Sequence, residues 1–129
     1  MDIIYDASTK IKSCKDEQSF KMAYIDELRI VNNGTFFCIE TEETVRGFPD
    51  VLFIEKTTQK AKLLEFKYAR GGKIKFQPAQ PAFYRMHSSL DISIVAYNPD
   101  TQRVHIFSAD RLFKEGNYTI NCGIVSLKQ

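Results

Sequence analysis

Gly47-Phe48-Pro49-Asp50-Val51-Leu52-Phe53-Ile54-Glu55-Lys56-Thr57-Thr58-Gln59-Lys60-Ala61-Lys62-Leu63-Leu64-Glu65-Phe66-Lys67 is the stretch that decides the fold. Its apolar, β-branched runs predict strands over residues 50–55 and 60–68, joined by the polar turn Lys56-Thr57-Thr58-Gln59. A hairpin centred between Thr57 and Thr58 pairs Glu55 with Lys60, Leu52 with Leu63 and Asp50 with Glu65. Strand side chains alternate, so Glu65 and Lys67 share one face while Leu64 and Phe66 enter apolar packing on the other. Directly opposed residues lie on one face with Cβ atoms about 5 Å apart. Two carboxylates and a lysine therefore converge on one patch of sheet. A slip of one residue would send Asp50 to the face opposite Glu65.

Upstream, Phe20, Ala23, Tyr24, Leu28 and Val31 recur at spacings of three and four, which predicts a helix over residues 14–31 stopped by Asn32-Asn33-Gly34. Residues 35–41 read as a strand, and an acidic loop with Glu42-Glu43 follows. Downstream, Arg70-Gly71-Gly72-Lys73 reads as a flexible basic loop beside the hairpin. A helix opens near Pro78 or Pro81, since proline suits the first turn, and ends about Ser88. Residues 92–97 form a strand buried on both faces, the turn Asn98-Pro99-Asp100 leads into a strand over 103–108, and 109–114 form a helical turn. Residues 118–127 add an edge strand. The order α-β-β-β-α-β-β is that of an α/β fold with a central mixed sheet flanked by helices.

Length and charge bound the rest. The chain has 129 residues, enough for a single domain over 1–129. Its 18 Lys+Arg against 16 Asp+Glu give a net charge of +2, which argues against gripping nucleic acid by bulk charge but leaves room for a local basic groove. Residues 67–85 supply one: Lys67, Arg70, Lys73, Lys75 and Arg85, with no acid among them. Phosphate contacts from such residues carry sequence-independent affinity, and the interleaved Phe76, Phe83 and Tyr84 are candidates to stack on bases. Cys14, Cys38 and Cys122 are an odd number at unrelated spacings, so neither a disulfide framework nor a Cys-x-x-Cys zinc knuckle fits. Reduced thiols in an intracellular protein do, with Cys38 in the core. No signal peptide is visible, and the longest strongly apolar run, residues 51–54, is far short of the roughly 18 residues that span a bilayer. The expectation is a soluble, intracellular protein without membrane association.

Adjacent carboxylates repel unless a cation lies between them, and a hard divalent ion is the usual solution. A lysine at the same edge can orient or deprotonate a water and hold charge on a phosphate. The bland alternative is a surface ion pair between Glu65 and Lys67. Other motifs carry less. Asn98-Pro99-Asp100 is a turn, since no Glu-x-Lys follows it. His87 and His105 lack metal-ligand spacing. Gly71-Gly72 lacks the Gly-Lys-Ser/Thr ending of a phosphate-cradling loop.

Three pieces together, Arg46-Gly47-Phe48-Pro49-Asp50, Leu64-Glu65-Phe66-Lys67 and Phe76-Gln77-Pro78-Ala79-Gln80, resemble the PD-(D/E)xK nuclease superfamily. They are most similar to its virus-type replication-repair nuclease (VRR-NUC) and Holliday-junction-resolvase branches, over about residues 14–108, leaving 109–129 as a C-terminal extension. The last piece is similar to the Leu-Ser-Pro-x-Gln element that opens the helix after the active-site strand. The resemblance implies a restriction-endonuclease-like core in which Asp50, Glu65 and the Phe66 backbone carbonyl ligate Mg²⁺ or Mn²⁺. It further implies that Lys67 positions the attacking water and that Gln80 holds Lys67 or a substrate phosphate. A further acid from the first helix is Glu17, or alternatively Glu27. The sequence departs from the family at Gln77, where a small polar residue is usual, and at His87-Ser88-Ser89, where a glycine is expected.

The implied activity is a metal-dependent endonuclease hydrolysing DNA phosphodiester bonds, selective for junctions or branches, with Arg70, Lys73, Lys75 and Arg85 on the DNA. So small a domain has little surface for a branched duplex, so a homodimer with two cleavage sites is expected, the segment after Ser108 supplying its interface. A phage or mobile-element origin is what the resemblance suggests. The alternatives are a non-catalytic nucleic-acid- or protein-binding module on the same scaffold, such as a phage inhibitor, and an RNA nuclease.

Overall fold

The computed structural model describes residues 3–31, 34–39, 47–113 and 124–127. The Asn32-Asn33 helix stop, the Glu42-Glu43 loop, Arg46, Cys122 and residues 118–123 of the expected last strand lie outside the described residues.

Strand β1 (Ile3–Asp6) leads through the single-turn helix α1 (Thr9–Lys12) into α2 (Glu17–Ile30). The hairpin region follows as β2 (Gly34–Cys38), β3 (Val51–Glu55) and β4 (Ala61–Tyr68). A 3-10 turn (Arg70–Gly72), β5 (Lys73–Lys75) and α3 (Ala79–Met86) connect β4 to β6 (Ile92–Asn98). Strand β7 (Arg103–Ser108), a second 3-10 turn (Ala109–Phe113) and β8 (Ile124–Ser126) complete the described elements. Six strands form one sheet in the order β1-β7-β6-β4-β3-β2. All neighbours are antiparallel except β4 and β6, so the sheet is mixed and the architecture is α/β.

The hairpin has the register its sequence implies. Leu52 pairs with Leu63, Val51 with Leu64, and the Glu55 amide donates to the Lys60 carbonyl. The alternation then sorts side chains into two apolar layers. Phe66, Leu64, Val51 and Val95 pack with Phe20, Ala23 and Ile25 of α2 on one face. Leu63, Ile94 and Ala96 pack with Phe83 and Tyr84 of α3, Ile74, Phe76 and Val125 on the other. Glu65 and Lys67, in step with Leu63, stand on the α3 side of the strand.

Helix α2 begins at Glu17 rather than at residue 14 because Asp16 caps it: its carboxylate accepts from the Ser19 amide at 2.8 Å, and Ser19 Oγ accepts from the Asp16 amide at 3.2 Å. This reciprocal box satisfies helix-end donors that would otherwise lack partners.

Several expectations need correction. The order α-β-β-β-α-β-β omits β1, α1 and β5. Residues 124–126 do form a strand, but it pairs with β5 in a separate two-stranded sheet rather than at the edge of the central one. The Arg70–Gly72 segment is a held turn, not a free loop: Gly71 N–H donates to Asp100 Oδ2, and the Leu127 amide donates to the Gly72 carbonyl at 2.7 Å. Cys38 is exposed on edge strand β2, while Cys14 is buried. No described helix is long and apolar enough to cross a membrane.

Candidate functional site

Strand β4 is central, parallel to β6 and antiparallel to β3, and it places Glu65 and Lys67 inside the molecule. Glu65 is 2% exposed and Lys67 8%. Asp50 is half-buried just ahead of β3, where its carbonyl accepts from the Ile39 amide and extends the ladder. Its Oδ2 lies 3.5 Å from the Phe66 amide of the facing strand, a long contact that keeps the carboxylate against β4 beside Glu65. The Phe66 carbonyl lies along β4 between Glu65 and Lys67. Lys67 Nζ sits 3.8 Å from Glu65 Oε2, donates to Gln80 Oε1 at 3.1 Å, and lies 5.0 Å above the Phe76 ring. Gln80 Oε1 also accepts from the Gln77 amide at 2.9 Å, which fixes the side chain at the first turn of α3.

Gly47 explains how the Asp50 segment is seated. Its φ is +84°, and a β-carbon there would lie 2.1 Å from the Ala79 carbonyl oxygen. Only glycine permits that approach, which brings the Phe48-Pro49-Asp50 segment against the start of α3. Phe48 closes the contact edge-on against Phe83 at 5.2 Å. An open cleft between the two segments is lined by Gly47, Phe48, Asp50, Gln77, Pro78, Ala79 and Gln80.

Charge at the site is unbalanced. Burial, above all, raises the pKa of Glu65 to about 9; the Asp50 charge, a hydrogen bond shared with Asp50 and the Glu17 charge act in the same sense, and Lys67 opposes them. Glu65 Oε1 is buried without a hydrogen-bond partner among the described residues. Glu17, in the first turn of α2, also has its pKa raised: desolvation leads, Lys67 opposes it, and Asp50 adds to it. Of the two first-helix acids, Glu17 thus feels the site. Glu27 does not share it, since it accepts from Ser8 Oγ and lies beside Tyr5 and Tyr24 at the α1–α2 contact.

The described residues contain no cluster of three or more His, Cys, Asp or Glu able to hold a metal ion. The donor set that is present, Asp50 and Glu65 with one buried oxygen unpartnered, suits an ion that keeps several waters and takes one or two carboxylates, which is the habit of Mg²⁺.

The basic residues divide. Lys73 and Lys75 are exposed, flanking buried Ile74 on β5. Arg70 donates to the Lys15 carbonyl at 3.0 Å and lies over the Tyr68 ring, and Arg85 lies 4.5 Å over the Phe113 ring. The stacking expectation for the aromatics does not hold: Phe76, Phe83 and Tyr84 are 2%, 6% and 2% exposed and belong to the core. Sequence reasoning also missed the polar end of Tyr84, whose hydroxyl is buried without a partner among the described residues. Its spacing of four from Gln80, one helical turn, is the signal that places both on one face of α3.

The chain matches no family model, no curated protein and no solved structure. The site's reading therefore rests on its geometry.

Proposed function

We propose that the protein is a divalent-metal-dependent deoxyribonuclease with a restriction-endonuclease-like core. Asp50, Glu65 and the Phe66 carbonyl would hold Mg²⁺ or Mn²⁺, with Glu17 as an outer acid. The observation that carries this reading is the closeness of half-buried Asp50 to buried Glu65, beside a lysine that Gln80 holds in place. A surface ion pair would not require two carboxylates to share a desolvated site, and two such groups gain from a cation between them.

The bound ion would supply charge for the scissile phosphate and lower the pKa of a water. The chain's own residues supply orientation. Lys67 Nζ has three donors; one is given to Gln80 Oε1 and Glu65 Oε2 lies 3.8 Å away, so a donor remains to orient a water or a phosphate oxygen at the carboxylate edge. Phe76 beneath it excludes solvent from the other side of the ammonium group. Lys73 and Lys75 on β5 stand ready to neutralise flanking phosphates. The substrate we propose is DNA, branched or duplex, and a homodimer would offer two such sites to a junction.

The test is incubation of the protein with labelled four-way junctions, flaps, nicked duplex, single strands and RNA, in Mg²⁺, Mn²⁺ or EDTA. Cleavage of DNA that stops on chelation is expected. Absence of cleavage on every DNA with either metal would overturn the reading, and DNA binding without metal uptake would instead identify a non-catalytic module. Cleavage confined to RNA would reassign the substrate.

A further inference from the structure

Arg70, expected from sequence to lie on DNA, is engaged elsewhere. Its guanidinium donates to the Lys15 carbonyl at 3.0 Å and lies 5.3 Å from the centre of the Tyr68 ring. The Tyr68 hydroxyl donates to the neighbouring Cys14 carbonyl at 3.1 Å. Two side chains from the end of β4 thus grip successive carbonyls of the segment that enters α2. A guanidinium suits the task, since its planar fork is pre-organised and its flat face stacks on an aromatic ring.

Both ends of this grip are fixed. On the near side, the Ala69 amide donates to the Tyr97 carbonyl at 2.7 Å, Gly71 N–H donates to Asp100 Oδ2, and the Leu127 amide donates to the Gly72 carbonyl. The turn that carries Arg70 is therefore anchored on three sides. On the far side, the Asp16–Ser19 box sets the first turn of α2, and Phe20 packs edge-on against Phe66 of β4 with ring centres 5.9 Å apart. Glu17, the first residue of α2, lies between the gripped carbonyls and the packed Phe20. It is also the first-helix acid that feels Lys67 and Asp50.

We propose that Arg70 is the positioning residue for Glu17: with Tyr68 it braces the entry to α2 against the end of β4, and so holds this acid in a fixed place relative to Lys67. This inference rests on the carboxylate-site reading and deepens it. Arg70 does not touch the reacting atoms; it acts through the backbone ahead of Glu17. Without the brace Phe20 still packs on β4, but the first turn of α2 gains freedom. An outer acid so loosened contributes less to a cation at the site.

Calorimetric titration of MnCl₂ into the metal-free protein, over a double-mutant cycle of Arg70→Gln and Glu17→Gln, tests this. Arg70 is exposed, so its replacement opens no cavity in the core. Arg70→Gln is expected to weaken Mn²⁺ binding about 10-fold by itself, and to cause no further loss once Glu17→Gln is present. Loss of a positive charge would by itself favour a cation, so the weakening reports the brace and not the charge. Tyr68→Phe, which removes only the bond to Cys14, should act in the same direction and vanish in the same background. The salt dependence of DNA binding should keep its wild-type slope in Arg70→Gln. Wild-type Mn²⁺ affinity in Arg70→Gln and Tyr68→Phe, or equal losses in both backgrounds, would overturn the inference while leaving Asp50 and Glu65 standing. A slope smaller by about 0.9 would return Arg70 to a phosphate and overturn it as well. Failure of the wild type itself to bind Mn²⁺ would overturn the carboxylate-site reading and this inference with it.

Discussion

At Glu65, burial and charge act in the same direction. Below about pH 4.5, its ordinary value, the carboxyl is neutral in folded and unfolded chains alike. Between there and about 9 the unfolded chain releases the proton while the folded, metal-free chain keeps it. The folded state then binds more protons, so stability falls as pH rises, with a slope of up to about 1.4 kcal/mol per pH unit. Glu65→Gln removes the titration. In EDTA it should flatten the pH profile and stabilise the protein near neutrality by up to about 3 kcal/mol, read by urea denaturation, while abolishing metal binding. Parallel profiles for the two proteins would contradict this. The direction of Glu65 was legible in the sequence, because strand alternation alone separates it from Leu64 and Phe66. Its desolvation was not, because that depends on α3 closing over the strand. For the same reason Tyr84 reads from sequence as an aromatic on a basic surface, yet it lies in the core.

Among elements, the hairpin of β3 and β4 was readable from the pairing of Val51 with Leu64 to the turn, since its turn is polar, its strands alternate, and its register follows from the turn's centre. Asp50 lies just ahead of β3, outside the paired ladder. Strand β1 gave no such signal. All four of its residues are exposed, so no burial pattern marks it, and backbone pairing to β7 alone defines it. Strand β5 is three residues long and finds its partner in residues 124–126, a long-range contact that no local pattern announces. The seat of Asp50 on α3 was equally hidden, since it depends on the approach of Gly47 to Ala79. Gly47→Ala should therefore cost about 1–3 kcal/mol from the left-handed φ, with further loss from the clash. It should also reduce cleavage by shifting Asp50 from the cleft. Thermal denaturation together with a cleavage assay checks both, and a variant as stable and active as wild type would contradict this account of the loop. Asp16→Ala, which removes the α2 cap, should cost about 1 kcal/mol in the same denaturation experiment.

Across the whole molecule, a net charge of +2 conceals a separation of sign: carboxylates gather at the end of the hairpin while Lys73 and Lys75 stand exposed on the neighbouring small sheet. If those two lysines contact phosphates, the double variant Lys73→Ala/Lys75→Ala should weaken DNA binding about equally across sequences. It should also reduce the log–log salt slope by about 1.8, as read by fluorescence anisotropy over a salt series. An unchanged slope would place the DNA elsewhere. The central claim is that half-buried Asp50 and buried Glu65, with Lys67, form a metal-dependent phosphodiesterase centre. Single-turnover DNA cleavage in Mg²⁺ by wild type, Asp50→Ala and Lys67→Ala, each shown to be folded by circular dichroism, tests it most directly. Cleavage by wild type and its loss to background in both variants is the predicted result; undiminished Mg²⁺-dependent cleavage by Asp50→Ala would contradict it.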